Sequence, residues 1–225
     1  MLSLINIILW KRRIMKSITL YFVVSGATYF NQLDRFQGWS GTPLTPAGQQ
    51  ASVAVGQKLA AVKFDTAYAS DTSRGGKTGH AVLAAQATTT QLQLLASLRA
   101  PFYGGFEGFE QAAVWSGFAT KLGYPSVAKF EADQTPMALQ NLIHDHDVDS
   151  LAESGEEFWQ RYRSGLAQVT AATPADGNVL VVTDSMTLRH LIFQATGEQP
   201  ANQAIAPSTV TVLTQAGDKW TVRQA

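Results

Sequence analysis

Cysteine is absent from all 225 residues, which excludes disulfides, thiolate metal sites and cysteine nucleophiles. Charge is also scarce: Asp, Glu, Lys and Arg make up 15% of the chain, against about 25% in an ordinary globular protein. Lys plus Arg and Asp plus Glu number 17 each, so the formal net charge is zero. No basic excess argues for nucleic acid, and no polybasic stretch argues for an anionic membrane. A long apolar run is missing too. Residues 2–10 are apolar apart from Ser3 and Asn6, but a membrane span needs about 20 such residues. A signal peptide carries its basic residues first and a small-residue cleavage site after; here Lys11-Arg12-Arg13 follow the apolar stretch. The expected organisation is an extension over residues 1–14, a natural start at Met15, and one domain over residues 15–225. The expected location is the cytoplasm.

What is present reads as one α/β domain. Hydrophobic residues are 45% of the chain and aromatic residues 10%, enough for a sizeable core. Residues 16–24 form a nearly continuous apolar strand, as in the centre of a parallel sheet. A polar, Gly-containing loop follows to Pro43. Thr45-Pro46 then opens a helix, Thr as N-cap and Pro at the first helical position, to about residue 61. The pattern predicts a second strand over 64–69, a helix from Asp71 or Thr72 to about 85, and a short third strand over 86–92. Residues 97–150 lose regularity and are rich in Gly and aromatics; they are read as an insertion that caps the site. A helix over about 154–172, a strand over 178–183, a helix over about 186–195 and a closing hairpin complete the chain. Strands alternating with helices predict a three-layer α/β/α sandwich around a mostly parallel sheet, with a small helical cap.

Ligands of such sheets sit at the carboxyl ends of the strands. That rule alone singles out Val24, Ser25 and Gly26 at the first strand's exit, residues 70–74 at a helix start, and Thr183, Asp184 and Ser185 at the fourth strand's exit.

Those positions also carry a resemblance. Asn31, Arg35, Gln37, Gly38, Pro43, Leu44, Thr45, Gly48, Gln50, Ala51 and Gly56 recur at one family's spacing. So do the run Ser70-Asp71-Thr72-Ser73-Arg74 with Thr78, then Leu98, Gly104, Glu107 and Gly108, then Ser154-Gly155-Glu156 with Arg163, and residues 179–189. Over residues 16–222 the chain resembles the phosphoglycerate mutase-like branch of the histidine phosphatase superfamily. The resemblance implies a histidine that attacks phosphorus, a second histidine and two arginines that hold the phosphoryl oxygens, and a carboxylic acid that protonates the leaving oxygen. A phosphate monoester carries about −1.5 to −2 charges at neutral pH, and fixed cations must neutralise it. The resemblance calls for no cofactor and no metal. Many relatives are dimers, which makes a homodimer a candidate assembly.

The chain departs from that machinery position by position. Val24 stands for the first arginine, Ser25 for the nucleophile, Ala100 for the proton donor, and Asp184 for the second histidine, with Ser185 after it. Of the central groups only Arg74 is kept. The expectation is a member without phosphoryl-transfer activity that binds an unidentified small molecule or protein through Arg74, Asn31, Ser25, Asp184 and Ser185. The alternative is a phosphomonoesterase or other hydrolase with residual or repurposed activity. Asp184 is expected to pair with Arg74 and fill the old phosphate site.

Other candidates read more plainly. Ser25 lacks a neighbouring base in sequence, and the run VVSGA is no nucleophile elbow. His144, Asp145, His146, Asp147 and Asp149 look like a metal cluster but lack a hydrolase order, and are read as a solvated stretch. His80 and His190 are read as surface or packing residues. Phe36, Trp39 and the aromatic run at 102–109 flank the degenerate pocket, and would suit an apolar or aromatic ligand.

Overall fold

The computed structural model describes residues 17–86, 89–198, 205–216 and 219–224. The extension read at residues 1–14 lies outside the described residues, as does the hairpin tip at 217–218. Six strands form one sheet: β1 (Ser17–Val24), β2 (Thr66–Ala69), β3 (Leu92–Leu94), β4 (Gly177–Thr183), β5 (Val210–Ala216) and β6 (Lys219–Gln224). Their order is β3-β2-β4-β1-β5-β6. The first four run parallel, while β5 and β6 are antiparallel.

The continuous apolar run of β1 has a simple cause: both faces are covered. Ile18, Leu20, Phe22 and Val24 pack with Phe158, Tyr162, Leu188 and Leu191. Those partners belong to helices α7 (Gly155–Ala172) and α8 (Ser185–Thr196), named in chain order. Tyr21 and Val23 point the other way, against Val55 and Leu59 beside α2 (Pro46–Lys58) and Val82 on α3 (Ser73–Ala84). Phe22 is fully buried, so its truncation to Ala would cost about 3–5 kcal/mol.

The helix starts follow their caps. Thr45 accepts from the Gly48 N–H at 3.0 Å with Pro46 behind it, and Thr72 accepts from the Gly75 N–H at 3.3 Å. Ser154 and Glu157 form a reciprocal capping box that opens α7. Gly197 closes α8 with φ of 75°, the left-handed conformation favoured by glycine.

Several expectations shift. The third strand lies at Leu92–Leu94, beyond the predicted span of 86–92, because its register is set by pairing with β2 at residues 67–69. Gln86 is buried at the end of α3 instead, where its Nε2 donates to the Leu59 carbonyl at 2.8 Å. Phe64 precedes β2 and packs edge-on against Tyr21, ring centroids 5.4 Å apart. A short helix α1 (Tyr29–Gln32) interrupts the loop read over 25–43, started by a Thr28–Asn31 capping box. The irregular stretch at 97–150 contains α4 (Gln111–Lys121), α5 (Val127–Asp133) and α6 (Pro136–His146). These close on a core of their own, including Trp115, Phe118, Phe130, Leu139 and Ile143, with Phe36 reaching in from the α1 loop.

The acidic run after α6 is not a solvated stretch throughout. Asp147 is buried, and its carboxylate accepts from the N–H groups of Gly105, Asp149, Leu151 and Ala152. His144 Nδ1 meets the Ala152 carbonyl, and His146 Nδ1 meets the Leu142 carbonyl. These groups are occupied in fixing a turn, and no metal-holding cluster occurs among the described residues.

Candidate functional site

Three segments meet at the carboxyl ends of β1, β2 and β4, as the strand-end rule requires. β1 delivers Val24 and Ser25. The Ser25 N–H donates to the Thr183 carbonyl at 2.9 Å, which ties the first exit to the fourth. Gly26 follows with its N–H on the Thr78 hydroxyl at 3.0 Å. Only glycine fits there, since a Cβ at Gly26 would lie 2.5 Å from the Gly48 carbonyl oxygen. The scaffold around the exit is therefore tightly specified.

A cavity of about 530 Å³ opens at this junction. Val24, Ser25, Asn31, Arg74, Asp184 and Ser185 all line it. Ala100 does not: it is buried, its methyl is short, and its carbonyl is held from two sides. Arg161 donates to the carbonyls of Ser97, Arg99 and Ala100, and Trp39 Nε1 donates to the Ala100 carbonyl at 3.1 Å. Trp39 lies outside the cavity as well, stacked on Phe102 with centroids 4.8 Å apart and capped by the Arg99 guanidinium.

The ion pair expected between Arg74 and Asp184 is not formed. Neither group is solvated away; each has a nearer partner. Arg74 is 6% exposed and donates to the backbone carbonyls of Gln37 (3.1 Å), Gly38 (2.7 Å) and Ser40 (3.2 Å). Asp184 is the N-cap of α8: one carboxylate oxygen accepts from the Thr187 N–H at 2.9 Å and the other from the Thr187 hydroxyl. No ion pair within 4.0 Å joins them. Burial pulls the Arg74 guanidinium below its ordinary value, and the charges of Asp184 and Glu107 partly offset that through space.

Glu107 completes the clamp on the 37–40 loop. Its carboxylate accepts from the N–H groups of Gly38, Trp39 and Ser40, and from the Ser40 hydroxyl. Arg74 thus holds the carbonyls of the segment while Glu107 holds its amides. A Cβ on Gly38 would meet both the Pro101 carbonyl and Glu107, so the loop passes there only as glycine.

Ser25 is 7% exposed, and its hydroxyl makes no hydrogen bond with any described residue. His190 cannot serve as its base. It packs between Phe158 and Trp159 on the far side of α8, and burial pushes its pKa down to about 4. His80 is exposed on α3. Among the described residues Ser25 has no hydrogen-bonded base.

Sequence reasoning missed part of the lining. Arg189 on α8, Tyr103 in the cap, Trp115 on α4 and Glu131 on α5 all face the cavity. The signal was helical spacing. Ser185 and Arg189 stand four apart on α8, Gln111 and Trp115 four apart on α4, and Val127 and Glu131 four apart on α5, each pair on one face. Without the insertion's helices, the pairs on α4 and α5 could not be recognised. Arg189 is 7% exposed, its Nε is buried without a partner, and it makes no hydrogen bond or ion pair with any described residue. Burial lowers its pKa, and Glu131 acts against that through space.

Known proteins agree with this architecture. The chain is similar to the 2,3-bisphosphoglycerate-dependent phosphoglycerate mutases of Bartonella tribocorum and Bartonella henselae. The first is 26% identical over 203 residues, covering 87% of this chain and 91% of the relative. The second is 27% identical over 207 residues, covering 89% and 93%. A crystal structure of phosphoglycerate mutase from Bacillus anthracis str. Sterne superimposes with a TM-score of 0.83 at 25% identity, over 94% of each chain. A putative alpha-ribazole-5'-P phosphatase from Escherichia coli shares the fold at a TM-score of 0.66 and 19% identity, over 92% of this chain and 95% of that one. The family model described as histidine phosphatase superfamily (branch 1) matches residues 20–225. A parallel sheet with its cavity at the strand ends, the glycine-specified exit of β1 and this match over nearly the whole chain lead to one conclusion: the protein belongs to the histidine phosphatase superfamily, branch 1.

Proposed function

We propose that this chain is a pseudo-enzyme of its family, inactive in phosphoryl transfer, which binds a small molecule or a protein partner at the cavity. One observation carries the reading. The strand exits present Val24 and Ser25 to the cavity, and the retained Arg74 is committed to three backbone carbonyls. Phosphoryl transfer needs a nucleophile, a proton donor and cations aimed at the transferring oxygens. Ser25 has no base, Ala100 lies off the cavity, and Asp184 brings a negative charge to where a phosphate dianion would sit. On the same reading the protein is cytoplasmic and a homodimer is its candidate assembly, which sedimentation tests.

The decisive measurement is turnover of p-nitrophenyl phosphate by the full chain. None is expected, and turnover that disappears in Arg74→Ala would establish the alternative, a residual phosphomonoesterase. The converse experiment installs Val24→Arg, Ser25→His, Ala100→Glu and Asp184→His together. Because such groups act as a unit, single restorations should do little. Ala100→Glu has the hardest task, since residue 100 must first be freed from Arg161 and Trp39.

A further inference from the structure

The cavity contains one cation with no assignment. Three arginines line it, but two are engaged: Arg74 with the 37–40 loop, and Arg35 with the Gly108 carbonyl at 2.5 Å. Arg189 alone is more than nine-tenths buried and bonded to nothing described. A buried guanidinium nitrogen without a partner is costly, because it gives up hydration and gets no hydrogen bond in return. The Nε of Arg189 is such a nitrogen, and an acceptor in the cavity can complete it. A planar fork of donors matches a carboxylate, which can take two parallel hydrogen bonds.

The surroundings narrow the ligand further. Asp184 and Glu131 line the same cavity, and Glu131 acts on Arg189 through space. With Asp34 lining it as well, the cavity sets three carboxylates against its three arginines and has no cationic excess, which suits a single negative charge and opposes a dianion such as a phosphate ester. One part of the remaining wall is aromatic, where Phe36 lies 4.8 Å from Tyr103 and 5.3 Å from Trp115, centroid to centroid. The volume of about 530 Å³ falls in the range of about 300–1,000 Å³ usual for small-molecule sites. We infer that the cavity takes a small aromatic or apolar monocarboxylate, its carboxylate held by Arg189 and its body laid against Phe36 and Trp115. This rests on the reading of the chain as a non-catalytic binding protein, and names the ligand class for it.

Calorimetric titration of the full chain with phenylacetate, hexanoate, phenylacetamide and phenyl phosphate tests the inference. Phenylacetate should bind and its amide should not. Arg189→Met should weaken phenylacetate by about tenfold or more, through loss of a charge-assisted pair. Glu131→Gln should tighten it by about threefold to tenfold, by removing a nearby like charge. In the unaltered protein the ¹⁵N resonance of Arg189 Nε should move on adding phenylacetate, so the result does not depend on a variant folding. Any of four outcomes overturns the inference: neither carboxylate binds, the amide binds equally well, phenyl phosphate binds more tightly, or Arg189→Met binds phenylacetate unchanged. Turnover of p-nitrophenyl phosphate, measured on the same samples, separates the two readings. Turnover refutes the non-catalytic reading, whereas absent carboxylate binding without turnover refutes only the ligand class.

Discussion

The two buried arginines that line the cavity are handled in opposite ways. Arg74, 6% exposed, sits at the start of α3, and every hydrogen bond it makes goes to the backbone of the 37–40 loop. Arg189, 7% exposed, sits against the cap and makes no hydrogen bond with a described residue. Equal burial therefore does not mean equal function. The Arg74 wall is a finished piece of structure, closed by Glu107 from the other side. The Arg189 wall is unfinished, and its donors await a partner. One fold can thus commit one buried cation to scaffolding and leave another open to the cavity.

The largest effect expected from this contrast is on the clamp. Glu107→Ala leaves the amides of Gly38, Trp39 and Ser40 without their acceptor, and should cost about 3–4 kcal/mol. In a chain of this size that lowers the melting temperature by about 6–15 °C, read by calorimetry. Arg74→Met should come next, losing about 2–3 kcal/mol as three carbonyls lose their donor. A stability unchanged in Arg74→Met would break the comparison, since it would show that Arg74 is not structural.

A smaller effect concerns the far side of α8. Burial lowers the His190 pKa to about 4, so the native state keeps it neutral while the unfolded chain protonates near its ordinary value of about 6.5. Between these values the unfolded state binds more protons, so stability is full above about pH 6.5 and falls as pH drops toward 4. From pH 7 to pH 5 the loss should be on the order of 1–2 kcal/mol, and His190→Phe should flatten that limb of the urea-denaturation profile. The smallest effect is of opposite sign. Without ligand, Arg189→Met should be neutral or raise stability by up to about 1 kcal/mol, because an unpartnered buried cation is replaced by an apolar chain. A loss as large as that of Arg74→Met would erase the distinction between the walls.

Much of this was written in local sequence. The apolar run of β1, the caps at Thr45 and Ser154, and the strand-end positions of Ser25, Arg74 and Asp184 follow from residue types and spacing. So does the presence of Ser and Asp, not His, at positions 25 and 184. The third strand was misplaced because its three residues are chosen by pairing with β2, not by their own propensity. The Arg74–Asp184 pair failed for a related reason. Opposite charges at matched positions establish proximity, but the partner actually taken depends on which acceptors lie closer. Backbone carbonyls of a loop more than thirty residues away claimed Arg74, and the start of its own helix claimed Asp184.

By itself, the sequence determined the family and the layered α/β arrangement, because these rest on short-range patterns and on identities at fixed spacing. Only the tertiary structure decided which surviving charge is satisfied and which is not. Hydrogen-bond satisfaction is a property of the whole neighbourhood: Arg74 and Arg189 are the same residue type with nearly the same burial on one cavity, and only folding places backbone carbonyls around the first and none, among the described residues, around the second.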